Sequence, residues 1–456
     1  MTDAPAQSPA VTLARFYTAL RAEDLPEATV HAVRRHLLDT LGAALAGAAR
    51  PEPRAVLGAG AALYGADGRA PVWGSARRVP PALAALVNGT AAHALELDDA
   101  SGCDHSGAVV VPAVLAALAE APQATEADLI AAIVAGYDLG RRVMEAAGGY
   151  DAHNGAGWHS TGTCGVFGAA MAVARLWRLP VDIAAQALGI AGSFASGNWS
   201  FLQDGAMTKR LHPGHAAASG LSAAALARHG MTGPAHVFDA PWGGFLATYA
   251  REAAQPEALT RDLGGFWRIH RSSIKPYASC RGTHAAVEAA LELRRDLPAD
   301  GVAGIEVGVH PTIVRMCGGT SVASLVDAQM SLPYAVAVAW LHGDASLPSF
   351  ADSVRASPDV ADWLARIRVV HDPAVDSNIA ARLTVAPRQG APRTLRIDIP
   401  AGSWDRPLPD GALIGKYRGL ATPVLGAARA ADVEALVLAL GRGADCATLP
   451  ALLTTT

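Results

Sequence analysis

The sequence predicts a mainly α protein, built from a large all-helical domain and a smaller α+β lid domain with an antiparallel sheet. Three observations carry this. Over the first 230 residues, alanine-rich stretches with helical spacing alternate with breaks rich in glycine, histidine and aspartate, and no strand pattern of useful length occurs. From about residue 268, short segments alternate apolar and polar residues as half-buried strands do. After about 407 the helical spacing returns. A chain of 456 residues exceeds what one core holds. The helical domain is therefore expected to comprise residues 1–268 and 407–456, discontinuous and dimerising, with residues 269–406 forming the lid.

Residues 10–21 and 26–47 read as amphipathic helices. In the second, Val30, Val33, Leu37, Leu41 and Leu45 recur at helical spacing behind Pro26 in the first turn. Residues 51–80 are rich in proline and glycine, with a short PVWG stretch at 71–74. A helix is expected from about 81 to 97, and VVVPAVLAALAEA (109–121) resumes one. Thr125 and Asp128 form a capping box for a helix reaching about 147. Helices follow at 164–177 and 181–195. Asp204-Gly205 and Pro213-Gly214 are turn signals, and the small-residue run behind them is a tightly packed helix. In the lid, VAGIEVGVH (302–310), IRVVHD (367–372), ARLTVAP (381–387) and TLRIDIP (394–400) read as strands. Helices are expected at 283–296, 321–341 and 359–366, with Pro333 interrupting the middle one. The helical tail, ADVEALVLALGR at 431–442, is expected to pack back on the first domain.

The net charge is −4, charged residues make up 17 %, and there is no basic run, which argues against a nucleic-acid partner. The mean hydropathy of +0.22 arises from alanine and glycine rather than from long apolar blocks. No 18-residue apolar run predicts a membrane span, and MTDAPAQSPA at the start lacks the features of a signal peptide. Five cysteines (Cys103, Cys164, Cys280, Cys317 and Cys446) without a C-x-x-C pair fit a reduced, cytoplasmic protein. The 51 % hydrophobic content and the many small-residue helices point to large subunit contacts.

Four polar islands interrupt this apolar background. They are ELDDASGCDHSG (Glu96, Asp98, Asp99, His105), GWHSTGT (His159), QDGAMTKRLHPGHAAASG (Lys209, Arg210, His212, His215) and SSIKPYASCRGTH (Lys275, Tyr277, Cys280, Arg281, His284). A cationic turn opening a helix suits a carboxylate, because the free N–H groups and the helix dipole add to the side-chain charge. A metal on Asp98, Asp99, His105 and His159 lacks ligand spacing, and Lys209 would repel the ion. Ser160 is not in a nucleophile elbow. Neither a dinucleotide fingerprint nor a Walker sequence occurs. What remains is cofactor-free, metal-free acid–base chemistry on a small anionic carboxylate. Lysines would bind the carboxylates and steady an enolate-like charge, and a histidine would take the proton. His93 reads as a packed helix histidine, Asp98 and Asp99 as capping or supporting groups, and Trp158 and Trp199 as walls.

The wording of the islands resembles that of the MmgE/PrpD family, which includes 2-methylcitrate dehydratases, cis-aconitate decarboxylase and iminodisuccinate epimerases. The resemblance spans nearly the whole chain. It rests on ALELDD…H-x-G…VVPAVLAAL, GYDLGRRV, GWHSTGT, GVFGAA, ALGIAGSFASG, DGAMTKRLHPGHAAASGL, KPYASCRGTHAAVEAALEL and SLPYAVAVA. It implies a helical domain with an α+β lid, a homodimer, and an active site between the domains that requires no cofactor. The family's site residues fall on Glu96 (an aspartate in the decarboxylase), His105, His159, Lys209, Lys275 and Tyr334. Two positions depart: Ala100 stands where threonine is usual, and Cys280 where the decarboxylase has a histidine. The segment DASGCDHSG also differs from the dehydratase pattern. A thiolate at Cys280, flanked by Lys275 and Arg281, would serve as a base. With His105 or His159 it would place bases on two faces of one carbon. The expected catalytic set is His105, His159, Lys209 and Cys280. The expected substrate-binding set is Glu96, Asp99, His212, Lys275, Tyr277, Arg281 and Tyr334. The expected activity is proton transfer α to a carboxylate of a di- or tricarboxylate, in an epimerase of the iminodisuccinate type. The alternatives are a 2-methylcitrate dehydratase-like hydro-lyase and a catalytically silent relative that binds a polycarboxylate.

Overall fold

Helices of the predicted pattern account for most of a computed structural model that describes residues 8–455; the first seven residues of the stretch read as lacking a leader lie outside it. The chain begins with α1 (Pro9–Thr18), α2 (Glu27–Gly47) and α3 (Pro51–Tyr64). The last of these lies in the stretch rich in proline and glycine, where the sequence pattern names no helix. Pro51 occupies the first turn, where a missing N–H costs nothing, so the stretch is helical after all. A two-stranded ribbon, β1 (Ala70–Pro71) and β2 (Arg78–Val79), precedes α4 (Pro81–His93). Next come α5 (Ser106–Ala117), α6 (Glu126–Ala146), α7 (Gly149–Gly155), α8 (Ser160–Thr163), α9 (Gly165–Leu176), α10 (Val181–Gly192) and α11 (Thr208–Arg228). The capping box at Thr125 and Asp128 is present.

α5 is buried along its whole length, and α6, α9 and α11 pack around it. Each of its fully buried valines contributes roughly 1.5–3 kcal/mol. Pro213-Gly214 is not a turn but lies inside α11. A Cβ at Gly89 of α4 would stand 2.7 Å from the Gly214 Cα, so the two glycines let the backbones touch. That contact draws the start of α11, with Lys209 and Arg210, toward the chain leaving α4 at Glu96.

After α12 (His284–Leu293), β3 (Val302–Val309) opens the sheet. It is followed by α13 (Pro311–Cys317), α14 (Leu325–Gln329), α15 (Leu332–His342), α16 (Asp352–Arg355) and α17 (Pro358–Leu364). The break between α14 and α15 falls just ahead of Pro333. Strands β4 (Ile367–His371), β5 (Ala381–Pro387) and β6 (Arg393–Ile397) complete a sheet of order β4-β3-β5-β6. β3–β5 and β5–β6 are antiparallel, as expected, but the edge strand β4 lies parallel to β3. The helical crossover from α13 to α17 carries the chain back to the same end of the sheet, and that imposes a parallel pair. α12 and α15 cover one face. The last described helices are α18 (Asp410–Leu425), α19 (Ala427–Ala439) and the short α20 (Leu449–Leu452).

The apolar interior falls into two clusters. One joins α1–α11 to residues of α18 and α19, such as Tyr417 and Val433. The other joins the sheet, α12 and α15 to Leu97 of the first island and Leu95 just before it. The protein is thus mainly α with a small sheet-containing domain. No described helix is long and apolar enough to cross a membrane.

Candidate active site

Where the two clusters meet, a cavity of about 280 Å³ is lined by residues of three islands, among them Glu96, Asp104, His105, Lys209, Cys280 and Arg281. Its floor is an ionic knot. Glu96 follows α4 with a left-handed backbone (φ 53°). Among the described residues, three of the six non-glycine positions with positive φ fall in this island, Ser101 (65°) and Asp104 (111°) being the others. Such strain persists only where surrounding contacts impose it. The Glu96 carboxylate receives Lys209, Arg210 (2.5 Å) and Lys275 (2.9 Å), all buried. Burial lowers the proton affinity of both lysines. For Lys209 the neighbouring Arg210 and Lys275 lower it further. Three cations on this one carboxylate give the floor a local positive excess, with Asp98 the next anion, 4.0 Å from Lys275.

Gln329, at the end of α14, ties this floor together. Its amide donates to Leu95 O (2.7 Å) and Ala278 O (3.0 Å), its side-chain oxygen accepts from Arg210 (2.9 Å), and its carbonyl accepts from Cys280 N (2.9 Å). No feature of the sequence around Gln329 singles it out. The pairing of Ala100 with Ser273 (N–O 2.9 and 2.7 Å) joins the first and fourth islands.

The histidines are sorted by their partners. His105 Nδ1 donates to Asp99 O (2.7 Å) and lies 3.1 Å from Asp98 Oδ2, while its Nε2 lies 3.6 Å from Asp104. Burial works against its charge, but Asp104 and Asp98 outweigh burial and raise its proton affinity. His159 Nε2 lies 3.5 Å from the same Asp104, and its Nδ1 meets His212 Nδ1 at 2.8 Å. Burial keeps His159 below the ordinary histidine value, and holds His212 at about 3. Cys280 moves downward as well. A hydrogen bond from the Cys317 thiol is the main cause, opposed by burial and helped by Lys209.

Not every expected residue faces the cavity. Lys275, His159 and His212 stand one layer behind its wall, reaching it through Glu96 and Asp104. Asp99 turns away, accepting from Gly107 N (2.9 Å) near His36. The Tyr334 hydroxyl donates to Ser349 O (2.7 Å) inside the second cluster, and Tyr277 packs edge-on against His284; neither lines the cavity. Residues not foreseen do line it: Asp104, Tyr150, Arg141, Arg271 and Trp404. Two donor triads, His93–Asp98–His105 and Asp104–His105–His159, are close enough to hold a metal ion. In the structure these groups bind one another, and Lys275 stands 4.0 Å from Asp98 Oδ1. The positive floor works against an added cation.

The chain matches the MmgE/PrpD N-terminal domain over residues 11–257 and the MmgE/PrpD C-terminal domain over residues 277–441, and so belongs to the MmgE/PrpD family. It is 30 % identical to a cis-aconitate decarboxylase of Aspergillus terreus, over 95 % of this chain and 93 % of that one. It is likewise 30 % identical to the cis-aconitate decarboxylase-like protein oryM of Aspergillus oryzae, over 97 % and 96 %. Identity to the cis-aconitate decarboxylase of Homo sapiens is 28 %, over 95 % and 92 %.

Proposed function

We propose that this protein is a lyase that acts on a small di- or tricarboxylate using acid–base groups of its own side chains. One observation supports this above the rest: Cys280 and His105 line one cavity, their proton affinities moved in opposite directions, over a floor with excess positive charge. Opposed shifts of this kind assign base and acid roles. The Cys280 thiolate takes the proton α to a carboxylate. Lys209, Arg210 and Lys275 steady the charge that develops. His105 gives its proton to the departing hydroxyl, which leaves as water, and an alkene remains. Asp104, shared by His105 and neutral His159, keeps the acid charged. That relatives are named for a decarboxylation, a bond cleavage beside a carboxylate, favours the lyase over the epimerase.

One feature supports epimerisation as the second reading. With a thiolate and an imidazolium on one cavity, the proton taken by Cys280 is matched by one returned from His105. A homodimeric, cytoplasmic, cofactor-independent enzyme whose sheet-containing domain closes over the helical one, with the helical domain made discontinuous by the tail, completes the proposal.

The test incubates hydroxy di- and tricarboxylates with the protein in D2O, following deuterium by NMR and alkene by ultraviolet absorbance. Exchange with alkene is expected. Exchange with inversion and no alkene would select the epimerase, and no exchange with any acid would leave a silent, polycarboxylate-binding relative.

A further inference from the structure

The lysine and arginines lining the cavity are Arg141, Lys209, Arg271 and Arg281, and three of them are engaged. Lys209 is on Glu96. Arg141 donates to Glu145 (2.9 Å) and Ser101 O (2.5 Å). Arg281 donates to Pro400 O (3.2 Å) and Ser403 Oγ. Arg271 alone among them has no hydrogen bond or ion pair among the described residues. Its guanidinium carbon stands over the Trp404 ring, 4.0 Å from the centroid, with Phe266 at 5.3 Å. A guanidinium held against a ring keeps N–H groups for another partner, and those groups match a carboxylate. Trp404 is 39 % exposed to solvent, so the pair stands at the open side of the cavity, away from the buried knot at Glu96.

We infer that Arg271, held on Trp404, binds a carboxylate at the end of the substrate remote from the reacting carbon. The two carboxylates of the substrate are thereby placed, one over the Glu96 knot and one at the mouth. This rests on the reading of the cavity as a carboxylate site. It also gives a reason for the arrangement, since an arginine held against a ring loses little freedom on binding.

The test is calorimetric and needs no turnover. Tricarballylate, glutarate and butyrate are titrated into the intact wild-type protein, Arg271→Gln, Arg271→Lys and Trp404→Ala. The first two acids have a remote carboxylate and butyrate does not. Arg271→Gln is expected to weaken tricarballylate and glutarate by about ten- to a hundred-fold, the loss of one charge-assisted pair, and to leave butyrate unchanged. Arg271→Lys and Trp404→Ala should fall between, because charge without stacking, or stacking partner removed, disturbs orientation only. Equal weakening of all three acids by Arg271→Gln, or no weakening of any, overturns the assignment. If the wild type binds none of the three, the carboxylate reading of the cavity falls and this inference with it. Circular dichroism of each variant separates misfolding from lost binding.

Discussion

Glu96 and Asp128 both gather cations, but in different surroundings. Asp128, at the start of α6, accepts from Arg178 (2.6 and 2.9 Å), Arg175 (3.2 Å) and the Thr125 backbone (3.0 Å). Burial works against its charge, yet these bonds outweigh it and hold the carboxyl well below its usual range. Its main partner, Arg178, is 62 % exposed and regains water if the pair is lost. Glu96 sits on a strained backbone among three buried cations. The difference lies in where the partners go when the anion is removed. Asp128 serves a helix end, whereas Glu96 sets the charge of a cavity.

Replacing each carboxylate sharpens this contrast. Glu96→Gln leaves three buried cations on a neutral amide, and breaking such a buried pair costs about 3–5 kcal/mol. Both the melting temperature and the deuterium exchange rate should drop steeply. His105→Asn comes next: removal of a positioned acid is expected to slow exchange by about 10²–10⁴-fold with little change in melting temperature. In pH profiles, exchange should rise as Cys280 loses its proton near 6 and fall as His105 loses its own above the ordinary histidine range. Cys280→Ser should remove the acid limb; an unchanged limb would take Cys280 out of the mechanism. Asp128→Asn should have the smallest effect, about 1–2 kcal/mol of stability, comparable to loss of a helix cap, with exchange unaltered. Because the Asp128 pKa is depressed, its contribution is complete above about pH 4 and is lost as pH falls further, so wild type and variant should converge in acid. Dialysis against a chelator should leave exchange unchanged. Loss restored by a divalent ion would instead assign the histidine–aspartate triads to a metal.

Much of the site was legible because polar residues are sparse in this chain. Glu96, His105, Lys209, Cys280 and Arg281 each interrupt an apolar background, and they share one cavity. The choice among the acids of the first island was not legible. Asp104 faces the histidines and Asp99 turns to Gly107 because of backbone angles that no residue pattern encodes. Arg271 and Trp404 lie in connecting segments, where composition says nothing of side-chain direction. Tyr334 came from the resemblance alone, and its hydroxyl is occupied elsewhere. In the fold, periodicity located the long helices, while α3 was hidden by its prolines and the parallel edge by its distant crossover.

The chain enters the sheet-containing domain through Arg268–Lys275 and leaves it through Pro400–Leu408, and the two passages are stitched together by Ile274 N to Gly402 O (2.9 Å). Gly402 has φ 81°, and any side chain there would collide with the Ile274 carbonyl. The two passages therefore behave as a double cord. Arg271 hangs from one strand of it and Trp404 from the other, so their stacking is a second tie between the passages, beside the Ile274–Gly402 bond.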